Sequence, residues 1–377
     1  MPKVLESYLS DNSQGIPPKD NEIEVSLFGP GFGESIVAHL GGGDWLVVDS
    51  CSDENREPVA LDYLKKIGVP AANVRLLVAT HWHDDHIGGL SRLFESTINA
   101  DLAVSAAIGK DEFLALVGAM NENGFVAQTG VDEWIGILKT LRARKAAANR
   151  PPPLLVGGER LLFKRKANAA KGTESCDIWS LSPSDESCLK ASSTFSTMFP
   201  TRKMRRVAAP NPNHNSLVIW VKCGDVGILL GADLQETGSE HSGWRAIVQS
   251  KKRPEGTAQI FKVPHHGSAN GHNDKVWSEM LVDGSAAILT PFFNGSVVLP
   301  TASDIDRLRK LSGHLFTTRP EDGQKIKAHD GNMVVARVLK ETVTTIRPIT
   351  LPTSHVRLRK EPGKNWSVGL FGTAHAL

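Results

Sequence analysis

His81-Trp82-His83-Asp84-Asp85-His86 places three imidazoles and two carboxylates within six consecutive residues. The cluster follows Val74-Arg75-Leu76-Leu77-Val78-Ala79, an apolar run that reads as a buried strand. It precedes Gly88-Gly89, a sharp turn into the next element. Side chains two apart on extended backbone point to the same side, so His81 and His83 can hold one ion together. Asp85 and His86 fall beyond the strand end, where the chain curls, and face a second ion. Two such sites would share a bridging water as hydroxide, the nucleophile of metal-assisted hydrolysis. A chance group of surface polar residues would not be expected at the end of a buried strand.

Thr80-His81-Trp82-His83-Asp84-Asp85-His86-Ile87-Gly88-Gly89 resembles the HxHxDH signature of the metallo-β-lactamase superfamily. Three further stretches resemble that superfamily's motifs, in its order. Leu46-Val47-Val48-Asp49-Ser50 is similar to the first, an aspartate ending a strand behind the metal site. Leu229-Leu230-Gly231-Ala232-Asp233 is similar to the fourth, whose aspartate bridges both ions. Val263-Pro264-His265-His266-Gly267-Ser268 is similar to the fifth, which supplies the last histidine. The resemblance spans roughly residues 22 to 348. It implies an α/β fold, the four-layer αβ/βα metallo-β-lactamase sandwich, and two ions bound at one site. Zinc is the first expectation, because nitrogen ligands suit it, and manganese the alternative, because carboxylates suit that ion.

The implied ligand set is His81, His83 and His214 at one site and Asp85, His86 and His266 at the other, with Asp233 bridging. Asp233 ends an apolar strand, where a carboxylate is costly without a cation or hydrogen-bond partners. Asp49 is expected to orient the cluster histidines from behind, and Asp85 to orient the hydroxide and accept its proton. In the doublet, His266 precedes the glycine as the family's ligand does. His265 is then a supporting or substrate-facing residue beside Ser268, although the two histidines could exchange roles. His272 reads as a surface residue. No Ser–His or Cys–His nucleophile pair is evident.

The third motif departs from the commonest pattern, which sets a histidine before the strand leading to the bridging aspartate. Here the chain reads Asn211-Pro212-Asn213-His214-Asn215-Ser216-Leu217-Val218. This resembles the Asn-rich version in the soluble hydrolase domain of ComEC-type competence proteins. Gly33-Glu34-Ser35, Leu181-Ser182-Pro183-Ser184 and the Pro-His-His-Gly-Ser motif fit that branch too. Members of the branch often lack the third-motif histidine; His214 would restore it, unless a shift of one residue in register aims it away.

The chain's 377 residues are 40% apolar, with Lys+Arg 43 against Asp+Glu 41, as in a globular protein with ample core. No stretch approaches the roughly 20 apolar residues of a membrane span, and Met1 to Asn21 has no apolar region of the secretory kind. Cys51, Cys176, Cys188 and Cys223 show no zinc-finger spacing. Free thiols in a cytoplasmic protein are the simplest reading, with a Cys176–Cys188 bridge the less favoured one. One domain over residues 1–350 is expected, followed by a C-terminal extension over 351–377; the oligomeric state is not legible.

Strands are expected over Glu22–Leu27, Ser35–Leu40, Trp45–Asp49 and Val74–Ala79, then over Ser216–Lys222, Val226–Leu230, Gln259–Val263, Ala286–Thr290, Leu315–Thr317 and Met333–Leu339. Short helices are expected around Leu61–Ile67 and Ser303–Leu311. A helical basic insert over about 108–175 separates the halves. It comprises a helix over Asp111–Met120 and a second whose apolar stripe is Val131, Trp134, Ile135, Leu138 and Leu141. Lys139, Arg142, Arg144, Lys145 and Arg150, then Arg160, Lys164, Arg165, Lys166 and Lys171, make it cationic. Arg202, Lys203, Arg205 and Arg206 add a cluster before the third motif, although the net charge is only +2. These cations could track a phosphate backbone or merely solvate a helix face. The favoured substrate is accordingly a phosphodiester, with DNA or RNA a candidate, cut by a nuclease or phosphodiesterase. A lactone, thioester or β-lactam hydrolase is the alternative, and a non-catalytic metal-binding effector subunit the third reading.

Overall fold

The computed structural model describes residues 5–9, 11–29, 33–107, 129–148, 153–197, 212–294, 297–319 and 354–377. In the first half lie β1 (Leu5–Tyr8), β2 (Ile23–Phe28), β3 (Ser35–His39), β4 (Trp45–Val48), α1 (Val59–Lys66), β5 (Val74–Ala79), α2 (Asp84–Ile87), α3 (Leu90–Ser96) and β6 (Asp101–Ser105). There follow α4 (Thr129–Ala148), β7 (Leu154–Val156), β8 (Arg160–Arg165), β9 (Cys176–Ser180) and α5 (Asp185–Thr197). The second half holds β10 (Ile219–Cys223), β11 (Val226–Leu230), α6 (Gly243–Gln249), β12 (Ala258–Lys262), β13 (Leu281–Leu289), the hairpin β14 (Phe292–Asn294) and β15 (Val297–Leu299), α7 (Ala302–Leu311) and β16 (His314–Thr317). Strands β17 (His355–Lys360), β18 (Trp366–Phe371) and β19 (His375–Ala376) close the chain.

Among the described residues two large sheets form, ordered β1-β18-β17-β2-β3-β4-β5-β6-β7 and β19-β16-β13-β12-β11-β10-β9-β8, with β14 and β15 as a separate two-stranded sheet. Strands β4 to β7 run parallel in the first, and β11, β12, β13 and β16 run parallel in the second. Period-2 alternation divides each strand between two cores. Val25, Leu27, Ile36, Leu46, Val48, Leu76 and Val78 meet Ile219, Ile228, Leu230, Ile260 and Ile288 between the sheets. Phe28, Val37, Val47, Leu77 and Ala79 turn outward onto Tyr63, Leu64, Leu90, Leu93 and Phe94 of α1 and α3. Trp220, Leu229, Phe261 and Leu289 pack outward on Trp244, Ile247 and Leu308 of α6 and α7. Both faces of each sheet are covered, which is why the central strands read as unbroken apolar runs. The fold is the four-layer αβ/βα sandwich.

Residues 354–377, set apart in sequence as an extension, supply strands to both sheets. β17 pairs with β2 over six residues, from His355 opposite Phe28 to Lys360 opposite Ile23, and β19 pairs with β16. Arg357 is fully buried and donates to the carbonyls of Ser13 and Gln14, fastening the chain's start to its end. Arg359 Nε lies 2.6 Å from Glu24 Oε2, so this outer-face carboxylate is paired.

The second helix of the insert is present as α4 and packs on α3. Glu133 accepts from the free amides of Gly89 and Ser91 at the start of α3. Two insert cations are committed to the fold. Arg144 donates to the carbonyls of Phe94, Thr97 and Ala100, and Arg165 to those of Leu40 and Gly41 and to Asp44. Lys139, Arg142 and Lys145 remain exposed. The helix expected over Asp111–Met120, the strand over Met333–Leu339, and Arg150 lie outside the described residues.

The thiol reading needs correction. Cys176 and Cys223 form a disulfide, and Cys51 is a buried thiol. The antiparallel register of β9 and β10 sets the two bridged cysteines directly opposite each other, a pairing across 47 residues that local spacing does not show. Such bridges are uncommon in reducing compartments, so cysteine usage no longer argues for a cytoplasmic protein. No helix among the described residues is long and apolar enough to cross a membrane.

His39 makes the fold acid-sensitive at a point remote from any chemistry. The ring is buried against Trp45, with Nδ1 donating to the Glu22 carbonyl and Nε2 accepting from the Gly43 amide. Burial, only partly opposed by the Glu24 charge, holds its pKa down at about 4. The unfolded chain takes up this proton near pH 6.5 and the folded one only near 4. Stability is therefore complete above pH 6.5 and falls as pH drops through that window, by up to about 3 kcal/mol. His39→Gln keeps a donor and an acceptor but cannot titrate. Urea unfolding at pH 7.5 and pH 4.5 should show a smaller acid loss in His39→Gln than in the unsubstituted protein; equal losses would refute the assignment.

Candidate metal centre

The C-terminal ends of β4 and β5 in one sheet and of β11 and β12 in the other bring the motif residues together. Parallel α/β strands commonly collect ligands at this end. After β5 the chain leaves regular structure over Thr80 to His83, His83 stands at the N-cap of α2 with extended backbone, and the first turn of α2 buries Asp85 and His86. Asp49, Ala232, His265 and His266 all have positive φ, at 59°, 45°, 48° and 52°. Such backbone is sparsely populated for residues with side chains and collects at functional sites.

Asp85, His86, Asp233 and His266 present ligand atoms all within 4.8 Å of one another, as do His81, His83 and Asp233. Asp233 Oδ2 is the hinge of both groups. It lies 3.4 Å from His86 Nε2, 3.4 Å from His266 Nε2 and 4.0 Å from His81 Nε2. Asp85 Oδ2 stands 3.3 Å from His266 Nε2 and 3.6 Å from His86 Nε2.

Hydrogen bonds behind the rings orient them. Asp49 accepts from the Thr80 amide, the Thr80 hydroxyl and His86 Nδ1, at 2.7 to 2.8 Å. With its proton on Asp49, the Thr80 hydroxyl accepts from His81 Nδ1 at 2.9 Å. His266 Nδ1 donates to the Thr290 carbonyl at 3.0 Å. Each of these three rings therefore turns Nε2 toward the centre, the arrangement that outer partners impose on metal-binding histidines. His86 Nε2, His266 Nε2 and Asp233 Oδ1 are buried without a hydrogen bond. Three buried polar atoms left in this way around one point fit a cation.

Charge at the centre follows from burial. Desolvation alone would raise the Asp233 and Asp85 carboxyls, but the flanking His86 and His266 rings hold both below the ordinary range. Burial would likewise lower His86 and His266. The carboxylates reverse this, pushing His266 up to about 10 and His86 well above its usual value. His81 and His83 are depressed, chiefly by burial.

Two residues missed in sequence stand behind the centre. Lys262 is fully buried, with Nζ 2.5 Å from Glu34 Oε1 and 2.8 Å from the Ala232 carbonyl. The signal was a lysine inside Gln259-Ile260-Phe261-Lys262-Val263 and an acid beside Gly33. Gly33 has φ +94°, and a Cβ there would meet the Asp85 carbonyl at 2.8 Å. The Gly33-Glu34 turn can thus lie directly on the histidine loop.

His214 takes no place in the cluster. It is half-buried, its pKa lowered by burial while a hydrogen bond to Gln235 opposes that. Its neighbour Asn213 lines the cleft instead, so the third motif sits one residue out of the register that would aim the histidine inward. His265 is absent from the ligand groups and lies on the cleft wall, 2.6 Å from Asn270 Oδ1. His272 pairs with Asp274 at 2.9 Å. Ser268 lines the cleft, whereas Arg202, Lys203, Arg205 and Arg206 lie outside the described residues. The cleft has a volume of about 680 Å³. Asp85, Asp233 and His266 form its floor, and Trp82, Phe292, Val297 and Leu299 supply apolar wall. Phe292 stacks on His266 with ring centroids 5.1 Å apart.

No curated protein matches the chain in sequence. Among solved structures, the metallo-beta-lactamase fold protein YhfI from Bacillus subtilis is 12% identical, covering 78% of this chain and 95% of its own, with a TM-score of 0.38. The metallo-beta-lactamase MIM-1 from Novosphingobium pentaromativorans is 14% identical, covering 69% and 82%, with a TM-score of 0.31. Residues 28–143, from the end of β2 into α4, match the family model described as the metallo-beta-lactamase superfamily.

Proposed function

We propose that the protein is a metal-dependent hydrolase whose favoured substrate is a phosphodiester. The observation that carries the hydrolase reading is the pair of overlapping ligand groups on Asp233, with buried atoms around it that lack hydrogen bonds. His81, His83 and Asp233 would hold one ion, and Asp85, His86, His266 and Asp233 the second. Zinc is favoured, with manganese the alternative. Bound there, such ions supply Lewis acidity and a water of lowered pKa.

The chain's own groups do the remaining work. Asp85 is held ionised at the cleft floor, where it can orient the attacking water and accept a proton. Asn213, Asn270 and Ser268 line the same cleft and offer hydrogen bonds to substrate oxygens. Phe292 covers the His266 ring and keeps water from that side of the floor.

Two considerations favour a phosphodiester: the Asn-rich third motif resembles the ComEC-type branch, and α4 carries the exposed Lys139, Arg142 and Lys145 away from Gly130 at the cleft. One observation favours a small uncharged or carboxylated substrate. The described cleft lining contains no lysine or arginine and has an apolar wall of Trp82, Phe292, Val297 and Leu299.

Metal content is the first test. Protein purified without chelators should carry one to two transition-metal ions per chain by mass spectrometry. Asp233→Ala should lose most of them, whereas His214→Ala and His272→Ala should retain the full count. A chain that holds no ion and cannot be reloaded with zinc or manganese would remove the hydrolase reading.

Substrate choice is tested by cleavage of bis(p-nitrophenyl) phosphate, plasmid DNA and nitrocefin. A phosphodiesterase should turn over the first. If α4 guides a polymer, the KM for DNA should rise steeply with salt, because each phosphate contact releases condensed counterions. Replacing Lys139, Arg142 and Lys145 by Glu should weaken DNA cleavage several-fold and spare the small diester. Turnover of nitrocefin or a lactone alone would select the second reading, and full metal occupancy without any turnover would select the effector.

A further inference from the structure

We infer that Glu34 and Lys262 are positioning residues: a buried ion pair that locks Asp233 and His266 into the metal centre and joins them to the Asp85 loop. The inference rests on the metal-dependent reading above. Lys262 Nζ lies 2.8 Å from the carbonyl of Ala232, whose φ of 45° sets the turn that aims Asp233, and 3.7 Å from Asp233 Oδ1. Its counter-ion Glu34 accepts from the Thr290 hydroxyl through Oε2, and the Thr290 carbonyl accepts from His266 Nδ1 at 3.0 Å. The Glu34 amide donates to the Asp85 carbonyl at 2.9 Å. One hydrogen-bonded chain thus runs from Ala232 through Lys262, Glu34 and Thr290 to His266, with a side branch to Asp85.

Both members are deeply buried, Lys262 at 0% and Glu34 at 2% exposure, and neither lines the cleft. They act behind the ligands and leave substrate to others. The pair also spans the sandwich: Glu34 precedes β3 of one sheet and Lys262 ends β12 of the other. Asp49 does the corresponding work for His81 and His86 from within the first sheet alone.

The test is zinc affinity, measured by competition with a chromophoric chelator, on the full chain carrying Glu34→Gln and Lys262→Met together. Removing both charges leaves no uncompensated ion, so the metal-free melting temperature should stay within a few degrees. Zinc affinity should fall about tenfold to a hundredfold, the range for lost outer support of a metal ligand. The visible spectrum of the cobalt-loaded protein should change with it. Thr290→Val removes the Thr290 hydroxyl's links to Glu34 and to His266 Nδ1 while keeping the carbonyl that holds the ring, and should weaken zinc binding several-fold even if the double variant does not fold. Zinc affinity unchanged in a folded double variant, or unchanged in Thr290→Val, would overturn the inference while the hydrolase reading stands. Absence of both zinc and manganese binding by the unsubstituted protein would remove that reading, and this inference with it.

Discussion

Four carboxylates buried around one point, with one buried lysine among them, set the terms for this molecule. Asp49, Asp85, Asp233 and Glu34 are each at most 5% exposed, and Lys262 is fully buried. Taking a carboxylate out of water costs several kcal/mol even after relaxation, so the arrangement persists only with compensating cations and hydrogen bonds. Asp49 answers with three hydrogen bonds and Glu34 with an ion pair. Asp85 and Asp233 have the Nε2 atoms of His86 and His266 close by, and Asp233 also has His81 Nε2 at 4.0 Å and the lysine ammonium at 3.7 Å. Those two carboxylates, which face the cleft, need positive charge that ions at the centre would bring.

The fold meets that demand by where it ends its strands. Four parallel strand ends converge, and the residues just beyond each are free to leave regular geometry, which several do through positive φ. A sheet covered on both faces keeps the strand ends fixed while those turns carry the strain. The buried polar groups between and behind the strands then set the orientation of each ring. His39 shows the same principle without any chemistry: a ring that burial keeps neutral, oriented by one donor and one acceptor.

Much of the cluster was legible because it is local. His81, His83, Asp85 and His86 lie on one strand end and one helical turn, so periodicity and turn chemistry suffice to place them. Asp233 became visible because it ends an apolar run with a charge, and His266 because its place before a glycine resembles that of the superfamily's ligand. The cross-chain pairings were not legible. The Cys176–Cys223 bridge depends on strand register, and β17 to β19 on which edge of a sheet stands open; nothing in the neighbouring residues encodes either. Lys262 and Glu34 look like single exceptions in apolar or glycine-rich sequence until the two sheets are set face to face.

The third motif shows how narrow the margin of a register reading can be. In Pro212-Asn213-His214-Asn215 the chain forms one short helical turn, so adjacent side chains diverge by roughly a third of a revolution instead of alternating between two faces. A histidine read as extended backbone would share a face with Pro212; on a turn it does not. Pro212 and Asn213 reach the cleft, while His214 is carried to Gln235, which also lies 3.2 Å from the ring of His265. Asn213 thus offers the cleft an amide, which can bond substrate or water but carries no charge. The His81–His83 group consequently relies on Asp233 for its third ligand atom, and the group around His86 and His266 is the more complete of the two. An asymmetric centre of this kind should fill in steps, with the second ion held less tightly than the first.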